Sequence, residues 1–287
     1  MTDAAVWRGY SEAEIESQYF LRGLRPDYEV TVIPDWIEAS ATFRASATCE
    51  LDIPYGPTPR SALDYFPAGD GAPFVLYVHG GYWQRGDRSV YSFLAEPFVR
   101  SGISMALISY DLCPDVELHT IAPQVRRAVT HLWTNREAYG IRAERFSIMG
   151  HSAGGHLTAE MALTDWPTVD ASLPADLVHA AIPLSGIYDF EPILWCSENE
   201  RLRLTPDTIA AVSPLRHASR SDAPMLIGYG ELEPPDMHRQ SHLLATTYRG
   251  HRPIETMEVP GVDHFDILNV LADDTSELFS KAAALIR

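Results

Sequence analysis

The sequence predicts an α/β fold, a mostly parallel central sheet with helices on both faces. Three observations lead there. Short apolar runs alternate with amphipathic helical stretches along the chain. No Ser/Gly-rich linker, low-complexity run or fixed-period repeat divides the 287 residues. A tight, glycine-flanked turn joins an apolar run to a helical one within residues 145–164.

Taken in order, residues 12–22 and 33–46 carry helical spacing. Residues 73–79 form a near-continuous apolar run, expected as a buried strand, and helix signals follow at 89–100. A strand at 104–110 leads into a helix at 120–139. That helix places Ile121, Val125, Val129, Leu132 and Trp133 on one face and is closed by Gly140. Then come strand 145–150, helix 153–164, strands 178–184 and 224–230, helix 236–249, strand 254–259 and helix 272–286. One domain over residues 1–287 is expected, and in such sheets the chemistry gathers at the carboxyl ends of the strands.

Composition narrows the function. A chain 46% hydrophobic and 21% charged is an ordinary globular one with enough apolar content for a large core. Its net charge of −17, from 39 acidic and 22 basic side chains, disfavours nucleic acid and anionic membranes as partners. The first eight residues lack a basic start followed by an apolar core, so no signal peptide is expected. No run approaches the ~18–20 apolar residues of a membrane span. Cys49, Cys113 and Cys196 are odd in number and scattered, which suggests buried thiols in a reducing, cytoplasmic setting.

The glycine-flanked turn carries the chemistry. After the apolar run Arg145–Met149 comes Gly150-His151-Ser152-Ala153-Gly154, the G-x-S-x-G pattern, and then a helix. A nucleophile on so sharp a turn takes strained backbone angles, and its neighbours must lack side chains. Hydrolysis by a serine also needs a base, a carboxylate to orient it, and donors for the oxyanion. The base is assigned to His264, in the loop between the last strand and the last helix. His151 and His156 lie too near Ser152 in sequence to swing over it. The acid follows strand 224–230, where Glu231, Glu233 and Asp236 fall within six residues. Glu233 fits best; Asp236 is the alternative, with a helix-capping role as its other use, and Glu231 comes third. Oxyanion donors are expected from the N–H groups of Gly81, Tyr82 and Ala153. The first two lie in His79-Gly80-Gly81-Tyr82-Trp83, which resembles the HGGG-type turn of lipases and esterases. His79 should brace that turn by a side-chain hydrogen bond. The 11 histidines show no H-E-x-x-H or Cys/His zinc pattern, so neither metal nor organic cofactor is expected.

With these motifs placed, nearly the whole chain resembles an α/β-hydrolase. Within that fold it is similar to the kynurenine formamidase (arylformamidase) branch, near the hormone-sensitive-lipase-like esterases. His79–Trp83, Gly150–Leu157, Leu184–Asp189 and Arg239-Gln240-Ser241 carry the resemblance. Tyr82 stands where lipase-like relatives usually have a third glycine, and Glu233 departs from the aspartate more common in that branch. The resemblance implies hydrolysis of N-formyl-L-kynurenine to kynurenine and formate through an acyl-enzyme. It also implies residues 1–50 as a helical N-terminal cap, with Tyr19, Phe20 and Trp36 near the pocket, and 188–215 as a specificity segment. Tyr82, Trp83, Tyr188 and Trp195 are the substrate-binding candidates. The expected partner is therefore a small aryl formamide or ester, and a homodimer stays open. A carboxylesterase for short-chain or xenobiotic esters would use identical machinery. A hydrolase-fold binding protein without catalysis would need a broken triad or hole, and here all four parts are present.

Overall fold

Eight strands form one sheet in the order β1-β2-β4-β3-β5-β6-β7-β8. The structure is a computed structural model that describes residues 4–218 and 221–287. Residues 1–3, the start of the expected cap, lie outside the described residues. The strands are β1 (Glu50–Pro54), β2 (Ala62–Phe66), β3 (Ala72–Val78), β4 (Ser104–Ile108), β5 (Ile141–His151), β6 (Ala180–Leu184), β7 (Met225–Gly230) and β8 (Ile254–Val259). From β4 through β8 every pairing is parallel, whereas β2 runs antiparallel to both β1 and β4. Strands β2, β4, β6 and β7 are buried at every position, as layers on both sheet faces require.

The helices are α1 (Glu12–Tyr19), α2 (Ile33–Ser46), α3 (Ala95–Arg100), α4 (Ile121–Thr134) and α5 (Ala153–Ala162). Three single-turn helices follow, α6 (Trp166–Val169), α7 (Asn199–Leu202) and α8 (Ile209–Val212). The last three are α9 (Pro235–Tyr248), α10 (Asp266–Leu271) and α11 (Glu277–Ile286). A capping box opens α1: the Ser11 hydroxyl accepts from the Glu14 N–H at 3.3 Å, and the Glu14 carboxylate accepts from the Ser11 N–H at 2.8 Å. The predicted apolar face of α4 is buried at Ile121, Val125, Val129 and Leu132, while Trp133 is only partly covered. Among the described residues no helix is long and apolar enough to cross a membrane.

Three expectations need correction. The β1–β2 pair was not foreseen, because β1 is an edge strand exposed at four of five positions and so lacks an apolar signal. Residues 89–100 hold two 3₁₀ turns before α3, with the Asp87 carboxylate accepting from the Ser89 N–H at 3.0 Å. The expected helix 272–286 is α11, which opens only at Glu277 with Ser276 capping it through the Phe279 N–H at 3.0 Å, and the short α10 before it was not foreseen.

The order of the sheet reverses at β3: β4 lies on one side of it and β5 on the other. The crevice above the carboxyl ends of β3 and β5 is therefore the topological switch point. The turns after those two strands carry Gly81 and Ser152.

Candidate active site

Ser152 sits between β5 and α5 with φ 56° and ψ −118°, left-handed angles that cost a non-glycine residue free energy. Its N–H donates to the Leu184 carbonyl at 2.8 Å, which ties the turn to the end of β6. Close approach explains the flanking glycines. A Cβ on Gly154 would lie 1.9 Å from the Val78 carbonyl oxygen, and one on Gly150 would lie 2.4 Å from that of Gly154. The turn thus lets α5 start against β3 and aims its first amide, that of Ala153, at the crevice end of the sheet.

Across the crevice, β7 ends at Gly230 and β8 at Val259, and the loops beyond them bring Glu233 and His264 together. Nδ1 of His264 lies 3.3 Å from Oε2 of Glu233. The other Glu233 oxygen accepts from the Gly230 N–H at 2.9 Å and from the Ser185 hydroxyl. This carboxylate is fully buried, so these donors offset its loss of water. The alternatives are engaged elsewhere. Asp236 accepts from Arg239 Nε at 2.6 Å and from the Tyr19 hydroxyl, and its own N–H donates to Gln18 at 3.1 Å. It fastens α1 to α9. Glu231 accepts from the Gly261 N–H at 2.8 Å and braces the turn after β8.

His151 has a part that its place beside the nucleophile did not reveal. Its Nε2–H donates to the His264 carbonyl at 2.7 Å, linking the nucleophile turn to the base loop. Burial, and then the neighbouring His264, pushes its pKa well below 6.5, so it stays neutral. His156 is structural, as expected. Its Nδ1 accepts from Trp83 Nε1 at 3.2 Å, and its Nε2–H donates to the Val212 carbonyl at 2.8 Å.

After β3 the chain turns through Gly81 at φ 117°, then Tyr82 and Trp83 at φ 55° each. A Cβ on Gly81 would lie 2.2 Å from the Arg85 carbonyl oxygen, so glycine is required there. The His79 ring is held between Tyr110, at 4.4 Å, and Tyr91, at 5.9 Å, and its Nδ1–H donates to the Gly80 carbonyl at 2.7 Å. That is the expected bracing bond.

Gly80, Gly81, Tyr82, Ser152 and His264 line one cavity. Of the four aromatic candidates only Tyr82 joins them. Trp83 is fully buried between His156 and Phe190. Tyr188 is fully buried too, with its N–H donating to Gln240 at 2.9 Å. Trp195 is 40% exposed, on a surface hollow beside Glu12 and Glu16. The 184–189 and 239–241 segments meet through Gln240 and through Arg239, which reaches Asp189 at 2.9 Å; they brace the acid loop and stay out of the cavity.

The N-terminal fifty residues add Leu21, Arg22, Tyr28 and Trp36 to the wall. No local motif marks them. They are fastened to the His264 loop and to α10 behind it by Tyr28 against Phe265 at 4.3 Å, by Trp36 Nε1 donating to Asn269 at 2.8 Å, and by Arg25. Arg25 reaches Asp263 at 2.6 Å and Asp266 at 2.7 Å. Arg25→Met should therefore lower stability by about 1 kcal/mol, since the pair is partly exposed, and Tm by roughly 2–4 °C. Thermal melts check this; an unchanged Tm would mean that the clamp contributes nothing. Among the described residues no group of three or more His, Cys, Asp or Glu is placed to hold a metal.

Fold and site define a hydrolase of the α/β-hydrolase class. The BD-FAE family model matches residues 65–248, and the chain belongs to the BD-FAE family. A kynurenine formamidase of Danio rerio is 31% identical, covering 93% of this chain and 94% of its own. Esterase LipQ of Mycobacterium tuberculosis is 29% identical over 78% of this chain and 59% of its own. A solved protein from Silicibacter sp. TM1040 superposes with a TM-score of 0.83 at 30% identity, covering 95% of this chain and 98% of that one.

Proposed function

We propose that the chain is an aryl formamidase that hydrolyses N-formyl-L-kynurenine through an acyl-enzyme. The observation that carries the chemistry is the convergence on one cavity of Ser152, His264 and the Gly81–Tyr82 turn, with His264 tied to a buried Glu233. In this mechanism His264 takes the proton of Ser152 as its Oγ attacks the formyl carbon. Glu233 holds the imidazole with its proton on Nδ1, leaving Nε2 as the base. The amides of Gly81, Tyr82 and Ala153 receive the oxyanion, each worth ~2.7–4 kcal/mol in the transition state. His264 then protonates the leaving aryl amine, and water, deprotonated by the same imidazole, releases formate. Similarity to the kynurenine formamidase over nearly the full chain supports the substrate.

Residues 1–50 act as a cap in this reading, because Leu21, Arg22, Tyr28 and Trp36 close the cavity. Residues 188–215 contribute to specificity through Glu198 alone among the lining residues. Three free cysteines, two of them buried and Cys49 half-buried, fit a cytoplasmic setting. The second reading, a short-chain carboxylesterase, is favoured by the LipQ similarity.

Steady-state kinetics on N-formyl-L-kynurenine, p-nitrophenyl acetate and p-nitrophenyl butyrate, with Ser152→Ala as control, separate the two. The formamidase reading expects kcat/KM on formylkynurenine to exceed both esters. Ester turnover without formylkynurenine turnover would replace it with the carboxylesterase, and full activity in Ser152→Ala would overturn both.

A further inference from the structure

We propose that Arg22, Arg85 and Glu198 form a charge-recognition subsite that selects substrates whose leaving group ends in a zwitterionic α-amino acid. The inference rests on the hydrolase reading above and names what that reading leaves open, the residues that set substrate class.

Most of the cavity wall is apolar or aromatic. Its charged members apart from the histidines are two guanidiniums and one carboxylate. Glu198 is 7% exposed. One of its oxygens faces both cations, Arg22 Nη2 at 3.3 Å and Arg85 Nη1 at 3.6 Å. Neither contact is the paired fork that a guanidinium makes with its own carboxylate. Arg22 also reaches Glu29 at 3.2 Å, but that carboxylate is 64% exposed and lies outside the cavity, where water screens it. Nε of Arg22 is buried without a hydrogen-bond partner. Two cations thus share one buried anion, and donor capacity is left over at the wall.

The surroundings make this excess informative. A chain of net charge −17 repels an anionic substrate. Burial pushes the Arg85 pKa down and Glu198 offsets part of that, so the carboxylate helps to keep the second cation in the wall. A ligand with one carboxylate and one ammonium matches the set: its carboxylate takes the spare guanidinium donors and its ammonium takes Glu198.

The position of Arg85 links this recognition to the reaction. Arg85 lies on the oxyanion turn itself, where its N–H donates to the Gly81 carbonyl at 3.1 Å. The segment carrying Glu198 is fastened to the same turn by Gln84 Nε2, which donates to the Glu198 carbonyl at 3.0 Å. Engaging the charged end of the leaving group therefore sets the distance at which its acyl carbonyl meets the Gly81 and Tyr82 amides.

The test compares two formamides in the intact enzyme: N-formyl-L-kynurenine and a 2-formamidophenyl ketone that lacks the amino-acid end. The quantity read is the ratio of their kcat/KM values. A charge-assisted hydrogen bond is worth ~1.5–3 kcal/mol, so the wild-type ratio should be at least about 10-fold in favour of the zwitterion. Arg85→Met and Arg22→Met should each lower that ratio by about 10-fold or more, mainly through KM of the zwitterion. Glu198→Gln should lower preference for formylkynurenine over its ammonium-blocked N-acetyl derivative. A second measurement needs no variant: kynurenine should inhibit the wild type at least about 10-fold more tightly than the aminoaryl ketone without the amino-acid end. Turnover of both formamides with a ratio near one, unmoved by the arginine variants, would overturn the subsite and leave the hydrolase reading standing. Turnover of neither formamide nor of any ester would overturn the hydrolase reading and the subsite with it.

Discussion

Glu233→Gln is expected to lower kcat by about 10³- to 10⁴-fold while the fold persists. The hydrogen bonds around the side chain give the reason. One oxygen accepts from the Gly230 backbone N–H and the Ser185 hydroxyl, and the other faces His264 Nδ1. Glutamine has one oxygen and one NH₂ group. The Gly230 N–H can only donate, so the oxygen must stay there and the NH₂ must face His264. Nδ1 then becomes an acceptor, the imidazole proton moves to Nε2, and the base loses the lone pair it needs for Ser152. Asp236→Asn should do something different. It weakens a buried pairing with Arg239 and the hydrogen bond from Tyr19, which costs stability, and leaves kcat within about 10-fold, since no such tautomer is at stake. Paired kcat and Tm measurements decide the matter. A larger kcat loss in Asp236→Asn than in Glu233→Gln would move the acid to Asp236.

The residues of this prediction were legible because each has a local signature tied to a strand end. Ser152 lies in a G-x-S-x-G turn, Gly81 in a glycine pair after a continuous apolar strand, and His264 in the loop after the last strand. An imidazole or carboxylate in such a loop is carried to the crevice by the parallel sheet itself, so chain order alone places it. The pocket wall has no such logic. Leu21, Arg22 and Tyr28 reach it from well over a hundred residues before Ser152, through 3₁₀ and π turns that carry no periodic pattern. Adjacent aromatics were also indistinguishable in sequence. Tyr82 lines the cavity whereas Trp83 is sealed in the core against His156, a difference set by left-handed angles at both residues. The edge strand β1 escaped for the opposite reason, being exposed on nearly every residue.

Stability is expected to fall steeply as pH drops below 6.5, and the histidines that frame the site are the cause. Burial holds His79 at about 4 and His156 at about 3, against an ordinary value of 6.5, and holds His151 well below 6.5. Their hydrogen bonds require the neutral ring. His156 Nδ1 must keep a lone pair for Trp83, and a proton on His79 Nε2 would be buried with no acceptor among the described residues. Unfolded, all three imidazoles bind protons near 6.5, so below that pH the unfolded chain binds more protons than the folded one. The stability linked to them is fully present above 6.5 and is lost as pH falls toward the folded values. Each contributes a slope of ~1.4 kcal/mol per pH unit, about 4 kcal/mol per unit for the three together. Glu160 acts in the other direction. Burial raises it from 4.5 to about 7 despite Arg126, so its contribution is full below 4.5 and is lost as pH rises through 7. One carboxyl at ~1.4 kcal/mol per unit does not offset three imidazoles over the same interval. Urea midpoints at pH 7.5, 6.5, 5.5 and 4.5 should therefore decrease steadily below 6.5. His156→Gln, which keeps an acceptor and a donor but cannot titrate, should show a shallower fall whatever its own midpoint at pH 7.5. A flat wild-type profile down to pH 4.5 would mean that these rings accept protons in the folded state, and that the neutral bridges from His79 to Gly80 and from Trp83 through His156 to Val212 do not hold the two turns of the site in place.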